Sequence, residues 1–133
     1  MYDEGLGVEI DDEQAVYWYQ QSAKQGHAKD QNNLGNMYHT GKAVDKNDRK
    51  AIHLYEQAAK KGIFKSQYNV GLLYFLGRGV AKDNLQAYVW MFVSRANGYY
   101  DNNRMLEKVV QTLTDEELNK AQGMSNIYLE NIS

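Results

Sequence analysis

Apolar residues recur along this chain with a helical spacing. Ala15, Trp18, Tyr19, Ser22 and Ala23 fall at i, i+3, i+4, i+7 and i+8, one side of an α-helix. The stripe returns at Ala51, Leu54, Tyr55, Ala58 and Ala59, and again from Ala87 and Trp90 onward. Asp11, Asn47 and Asp83 stand before these stripes, where a side-chain oxygen can accept from the free N–H groups of a first helical turn. Gln14 and Gln86 follow at capping-box spacing. Gly26, Gly62 and Gly98 close the stripes, because a left-handed residue after a helix costs glycine little. A second apolar segment begins near Ala28 and carries Leu34 and Tyr38, with Gly35 permitting close approach. Its copy runs from Ile63 to Phe75, with Val70, Gly71 and Tyr74 in the matching places. Seven helices are predicted, near 12–25, 27–39, 48–60, 64–75, 84–97, 100–112 and 115–130, with no strand of consequence.

These features repeat every 36 residues. Tyr2, Tyr38 and Tyr74 keep that spacing, as do Gly5, Gly41 and Gly77, and Val8, Val44 and Val80. Trp18, Leu54 and Trp90 form one large apolar column. A fixed period of this length marks a stack of supersecondary units, each burying its apolar face against the next. Each unit reads as helix A, a Gly-containing loop, helix B and a Gly turn. The boundaries expected are 1–26 for a partial first repeat lacking most of its helix A, 27–62 for the second and 63–98 for the third. The remainder, 99–133, reads as a degenerate fourth repeat with a C-terminal capping helix, which Thr114 and Glu117 open as a capping box.

The second unit carries Ala28, Leu34, Gly35, Tyr38, Gly41, Val44, Asn47, Lys50, Ala51, Leu54, Tyr55, Ala58, Ala59 and Gly62. The third carries Gly71, Tyr74, Gly77, Gly79, Val80, Asp83, Gln86, Ala87 and Trp90. This pattern resembles the Sel1-like repeat, a relative of the tetratricopeptide repeat. Ala43 replaces a Gly of the family pattern, Leu54 a Trp, Val70 a Leu and Arg95 an Ala. The resemblance implies an all-α fold, a right-handed α/α solenoid with a helical cap, acting as a non-enzymatic scaffold that binds a partner protein or peptide.

In tetratricopeptide-like solenoids the A helices line the concave face. Counting outward from the core columns puts Lys29, Asn32, Asn36, His39 and Thr40 there in the second repeat, and Lys65, Tyr68, Leu72, Phe75 and Leu76 in the third. The first set is polar and suits hydrogen bonding to a peptide backbone. The second is apolar and requires cover. The fourth unit is its expected source, and the segment Met124–Leu129 is expected to shield Tyr68, Leu72 and Phe75. At the other end, Val16, Tyr17 or neighbouring apolar residues should contact another copy or remain exposed if the first helix A is missing.

Composition narrows the chemistry. Fifteen basic and 17 acidic residues leave a formal charge of −2, which provides no basic stripe for nucleic acid. There is no Cys, which excludes disulfides and Cys-based zinc sites. The longest apolar run, Ala87 to Val93, is too short to cross a bilayer, so no membrane insertion is expected. His27, His39 and His53 show no metal-ligand spacing, and no cofactor is expected. Gly5-Leu-Gly7 and Gly77-Arg-Gly79 lack the third glycine and preceding strand of a dinucleotide motif. Some proteins of the resembled family bind or hydrolyse β-lactams, but no Ser here precedes a Lys by three positions. No catalytic residue is therefore assigned. The resemblance also admits a secreted or periplasmic effector, a location that an upstream signal peptide would decide.

Overall fold

The computed structural model describes residues 12–99 and 103–132. They form α1 (Asp12–Lys24), α2 (Ala28–Thr40), α3 (Asp48–Ala59), α4 (Phe64–Leu76), α5 (Asn84–Ala96), α6 (Asn103–Gln111) and α7 (Asp115–Ile132), with no strand among the described residues. The Asp11 cap, the Tyr2, Gly5 and Val8 columns and the predicted start of α6 at Tyr100 lie outside the described residues.

Local chemistry sets most helix ends. The Asn47 side chain accepts from the Lys50 N–H, and Asp83 accepts from those of Leu85 and Gln86. The expected Gln86 arm of a capping box is replaced by a longer-range bond. The Asp83 N–H donates to the Tyr74 carbonyl at 3.0 Å, as that of Asn47 does to Tyr38 at 2.8 Å. Each A helix thus holds the start of the B helix that follows. Thr114 and Glu117 do form a reciprocal box.

Within a unit the A and B helices approach closely. A Cβ on Gly35 would lie 2.7 Å from the Tyr55 ring, and one on Gly71 would lie 3.0 Å from the Ala87 carbonyl oxygen. Three apolar clusters run along the stack. Val16, Ala23, Leu34 and Met37 form the first, and Ala51, Ile52, Tyr55, Ala59, Val70, Leu73 and Trp90 the second. The third joins Ala87, Tyr88 and Met91 of α5 to Leu106, Val109 and Ala121. Members of the Trp18–Leu54–Trp90 column reach backward along the stack. Leu54 packs on the first cluster and Trp90 joins the residues of α3. No described element precedes α1, and Trp18 is 67% exposed beside Tyr17 at 54%. Val16 is buried against α2, because its side of α1 faces the next helix, and the exposure at this end falls on Tyr17 and Trp18.

Burial, the leading cause in each case, pushes the hydroxyls of Tyr55, Tyr68, Tyr74, Tyr88 and Tyr128 above the ordinary 10.0, that of Tyr128 to about 12. Between these pH values the unfolded chain releases protons that the folded chain retains. Stability is therefore complete below pH 10.0 and falls as pH rises toward about 12. Tyrosinate absorbance should rise in the same step in which helical circular dichroism is lost. Ionisation of all 11 tyrosines with helicity intact would contradict this.

Candidate functional site

Of the ten residues expected on the A-helix face, nine separate into three groups and Leu76 stays exposed. Lys29, Asn32, Asn36 and Lys65 line one groove of about 490 Å³ between α2 and α4, floored by Ile63 and Phe64. Asn32 is nearly buried, and its Oδ1 accepts from Ser66 Oγ at 2.8 Å and Asn69 Nδ2 at 3.4 Å. Asn36 Oδ1 accepts from the Tyr55 hydroxyl at 2.6 Å. Both carboxamide oxygens are thus committed inward, which leaves the amide NH₂ groups as the polar ends available to a ligand. Two lysines complete the rim, and no carboxylate lines the groove. Asp30, the acidic residue of α2, accepts from Ser22 of α1, and α4 contains no acidic residue. With Asn33 as a further amide in the lining, the groove is rich in donors over an apolar floor.

His39 and Thr40 lie at the C-terminal end of α2 and do not line this groove. His39 Nδ1 is 2.7 Å from Asp48 Oδ1, and the Thr40 hydroxyl donates to the Asn36 carbonyl at 2.9 Å. Tyr68, Leu72 and Phe75 are partly buried against the third cluster, which includes Leu106 and Val109 of α6. Tyr68 also meets Tyr99 edge-on at 5.1 Å. The expected shield from Met124–Leu129 is not what covers them. Tyr128 lies edge-on to Trp90 at 4.6 Å, and α7 packs on α5. Three residues, 112–114, join α6 to α7 in place of the seven, Gly77–Asp83, that lead from α4 into α5, so the loop that seats an ordinary B helix is missing there.

Sequence reasoning missed a buried polar column. Gln67 Nε2 donates to the Ala59 carbonyl at 3.0 Å while its Oε1 accepts from Asn97 Nδ2 at 2.9 Å. One period earlier, Gln31 donates to the Ala23 carbonyl at 3.2 Å and accepts from Lys61. Identical glutamines 36 residues apart were the available signal. They bind the end of one B helix to the A helix that follows.

The described serines serve structure. The hydroxyls of Ser22, Ser66, Ser94 and Ser125 donate to Asp30, Asn32, the Phe64 carbonyl and the Ala121 carbonyl, and none is paired with a basic side chain. No cluster of three or more metal-ligating side chains occurs among the described residues. No described helix is long and apolar enough to cross a membrane.

A stack of helix pairs repeating every 36 residues defines a helical-repeat solenoid, the class whose members generally mediate protein–protein interaction. The Sel1 repeat family model matches residues 1–27, 28–63 and 64–98. The chain belongs to the Sel1 repeat family. No curated protein sequence matches it significantly. Among solved structures, it is similar to c5321, a protective antigen of uropathogenic Escherichia coli strains with an SLR fold. The TM-score is 0.89 at 28% identity, over 96% of this chain and 28% of that one. It is also similar to a Sel1 repeat protein from Oxalobacter formigenes, with a TM-score of 0.73 at 35% identity, over 79% of this chain and 43% of that one. The chain thus spans less than half the length of either relative.

Proposed function

We propose that this chain is an interaction module that holds an extended, acidic segment of a partner protein along the A-helix face. The observation that carries this reading is the donor-rich groove between α2 and α4, with Lys29 and Lys65 on its rim and no carboxylate in its lining. In this reading the Asn32 and Asn36 amides donate to peptide carbonyls, the lysines attract carboxylates and Phe64 supplies apolar contact. His39 and Thr40 extend the polar surface beyond the groove. Tyr99 and α6 cover part of Tyr68, Leu72 and Phe75 rather than leaving them as an anchor.

Selection of a random peptide library on the immobilised protein should enrich Asp and Glu. The K29E/K65E double variant, at two exposed positions, should retain its fold and bind such peptides at least about tenfold more weakly, with a flatter salt dependence. Equal affinity of the variant and the wild type would overturn the reading.

A second reading, placement of the module in the periplasm or outside the cell, draws on the similarity to c5321, described as a protective antigen. Fractionation of the native cell tests it, and recovery of the chain solely with cytosolic markers would dismiss it.

A further inference from the structure

A second cavity, of about 740 Å³, lies on the opposite side of α2, among α1, α2 and α3. Its apolar lining includes Ala23, Leu34, Tyr38 and Leu54. The 36-residue period shows what occupies the matching place one repeat later. Adding the period to Gln20, Tyr38 and Leu54 gives Glu56, Tyr74 and Trp90. Tyr74 and Trp90 share a cluster with Tyr128 of α7. The Tyr128 ring meets Trp90 edge-on at 4.6 Å, and Glu56 is near enough for its charge to act on the Tyr128 hydroxyl. In the third repeat the place is therefore filled twice over, by a tryptophan from α5 and by a tyrosine delivered on a helix laid across it. In the second repeat the tryptophan is Leu54, and no described helix covers it.

The rim of the open cavity differs from its filled counterpart in charge. Lys24, Arg49, Lys50 and His53 surround it, and no carboxylate lines it. The positions one period on are Lys60, Leu85, Gln86 and Val89. Lys50 lies over the Tyr38 ring at 5.3 Å, at the mouth of the cavity. A basic rim around an apolar floor selects an acidic partner. The chain's own α7 exposes Asp115, Glu116 and Glu130 beside Lys120, Gln122, Asn126 and Asn131, but its Tyr128 is already seated on Trp90, so a second copy has no free aromatic side chain on that helix to offer.

We infer that the cavity over Leu54 is a socket for an aromatic side chain carried on an acidic amphipathic helix of a partner protein. The chain's own Tyr128 on Trp90 is the template for that contact. The socket lies apart from the groove between α2 and α4, and so it stands or fails independently of the function proposed above.

The probe is an 18-residue labelled peptide with the sequence of Asp115–Ile132 carrying Lys120→Glu, Gln122→Glu, Asn126→Glu and Asn131→Glu. Binding is read by fluorescence anisotropy, with amide chemical shifts locating the site on the full chain. Saturable binding is expected, with shifts at Gln20, Tyr38 and Leu54. Replacing Tyr128 by Ala in the peptide, or Leu54 by Trp in the protein, should weaken it at least about tenfold. L54W installs the residue already present at positions 18 and 90, and its helical signal and melting serve as the folding control. R49E/K50E should weaken binding and reduce its salt dependence without filling the cavity. The inference is overturned by absence of binding at millimolar peptide, or by unchanged affinity in folded L54W. Shifts at Trp90, reporting exchange with the chain's own α7, or at Lys29 and Lys65, reporting the other groove, would overturn it equally.

Discussion

Replacing Gln67 by alanine should lower stability by about 3 kcal/mol, near the top of what a single polar side chain contributes in a domain of this size. Gln67 is fully buried, and its carboxamide joins three helices at once. Its NH₂ reaches the Ala59 carbonyl at the end of α3, and its oxygen receives the Asn97 amide after α5. Truncation removes both bonds and opens a cavity that a close-packed interior cannot fill. The Ala59 carbonyl keeps one donor, the Gly62 N–H, which limits the loss. Q67L separates the contributions. It nearly restores the volume but offers the carbonyl no donor, so roughly half of the destabilisation should remain. Urea unfolding of the two variants with unchanged slope provides the measurement. Equal stability of Q67A and the wild type would show that the column of glutamines carries no structural weight.

Gly79→Ala should destabilise the chain by about 3 kcal/mol or more, through backbone rather than side-chain chemistry. Gly79 has φ +75°, and a Cβ built there would lie 2.4 Å from the Asp48 carbonyl oxygen and 2.9 Å from the Arg49 nitrogen. These are backbone atoms at the start of α3, and they cannot rotate away. The loop between α4 and α5 would have to lift off the preceding repeat. Gly77 is a close control, with φ +68° but its nearest prospective contact the Lys82 Cβ at 3.2 Å. G77A carries the left-handed cost of about 1–2 kcal/mol without the collision. The difference between the two variants measures how tightly the loop seats on α3. Hydrogen exchange in the first turn of α3 should accelerate in G79A and not in G77A. Indistinguishable variants would mean that the close approach contributes nothing.

Ala43 occupies the Gly79 column of the second repeat and retains a left-handed backbone at φ 64°. The turn is therefore kept even where the residue that favours it is lost, because the bonds from Asn47 to Tyr38 and from Gly41 to Met37 hold the loop from both sides. The same redundancy explains why helices predicted from spacing alone lie within a few residues of those observed. Caps, glycine turns and apolar stripes act over one or two turns of chain, and the repeat presents them in register again and again.

Other features required neighbours distant in sequence. Lys29, Asn32, Asn36 and Lys65 were legible as one polar face because the period placed them on successive A helices. That the Asn32 and Asn36 oxygens turn inward depends on Ser66, Asn69 and Tyr55, residues of other helices. The cavity over Leu54 was visible in the sequence merely as a departure from a tryptophan column. That no described helix covers it, while Tyr128 covers Trp90, is decided by where α7 lies. The sequence by itself determined seven helices, their turns and the order of their stacking, since each rests on local capping and on a period long enough to be counted. The tertiary structure alone decided where α7 lies, because a short connection after α6 turns it out of the repeat path and onto Trp90. With Tyr128 on Trp90 that side of the third repeat is covered, and among the described residues the matching side of the second is not.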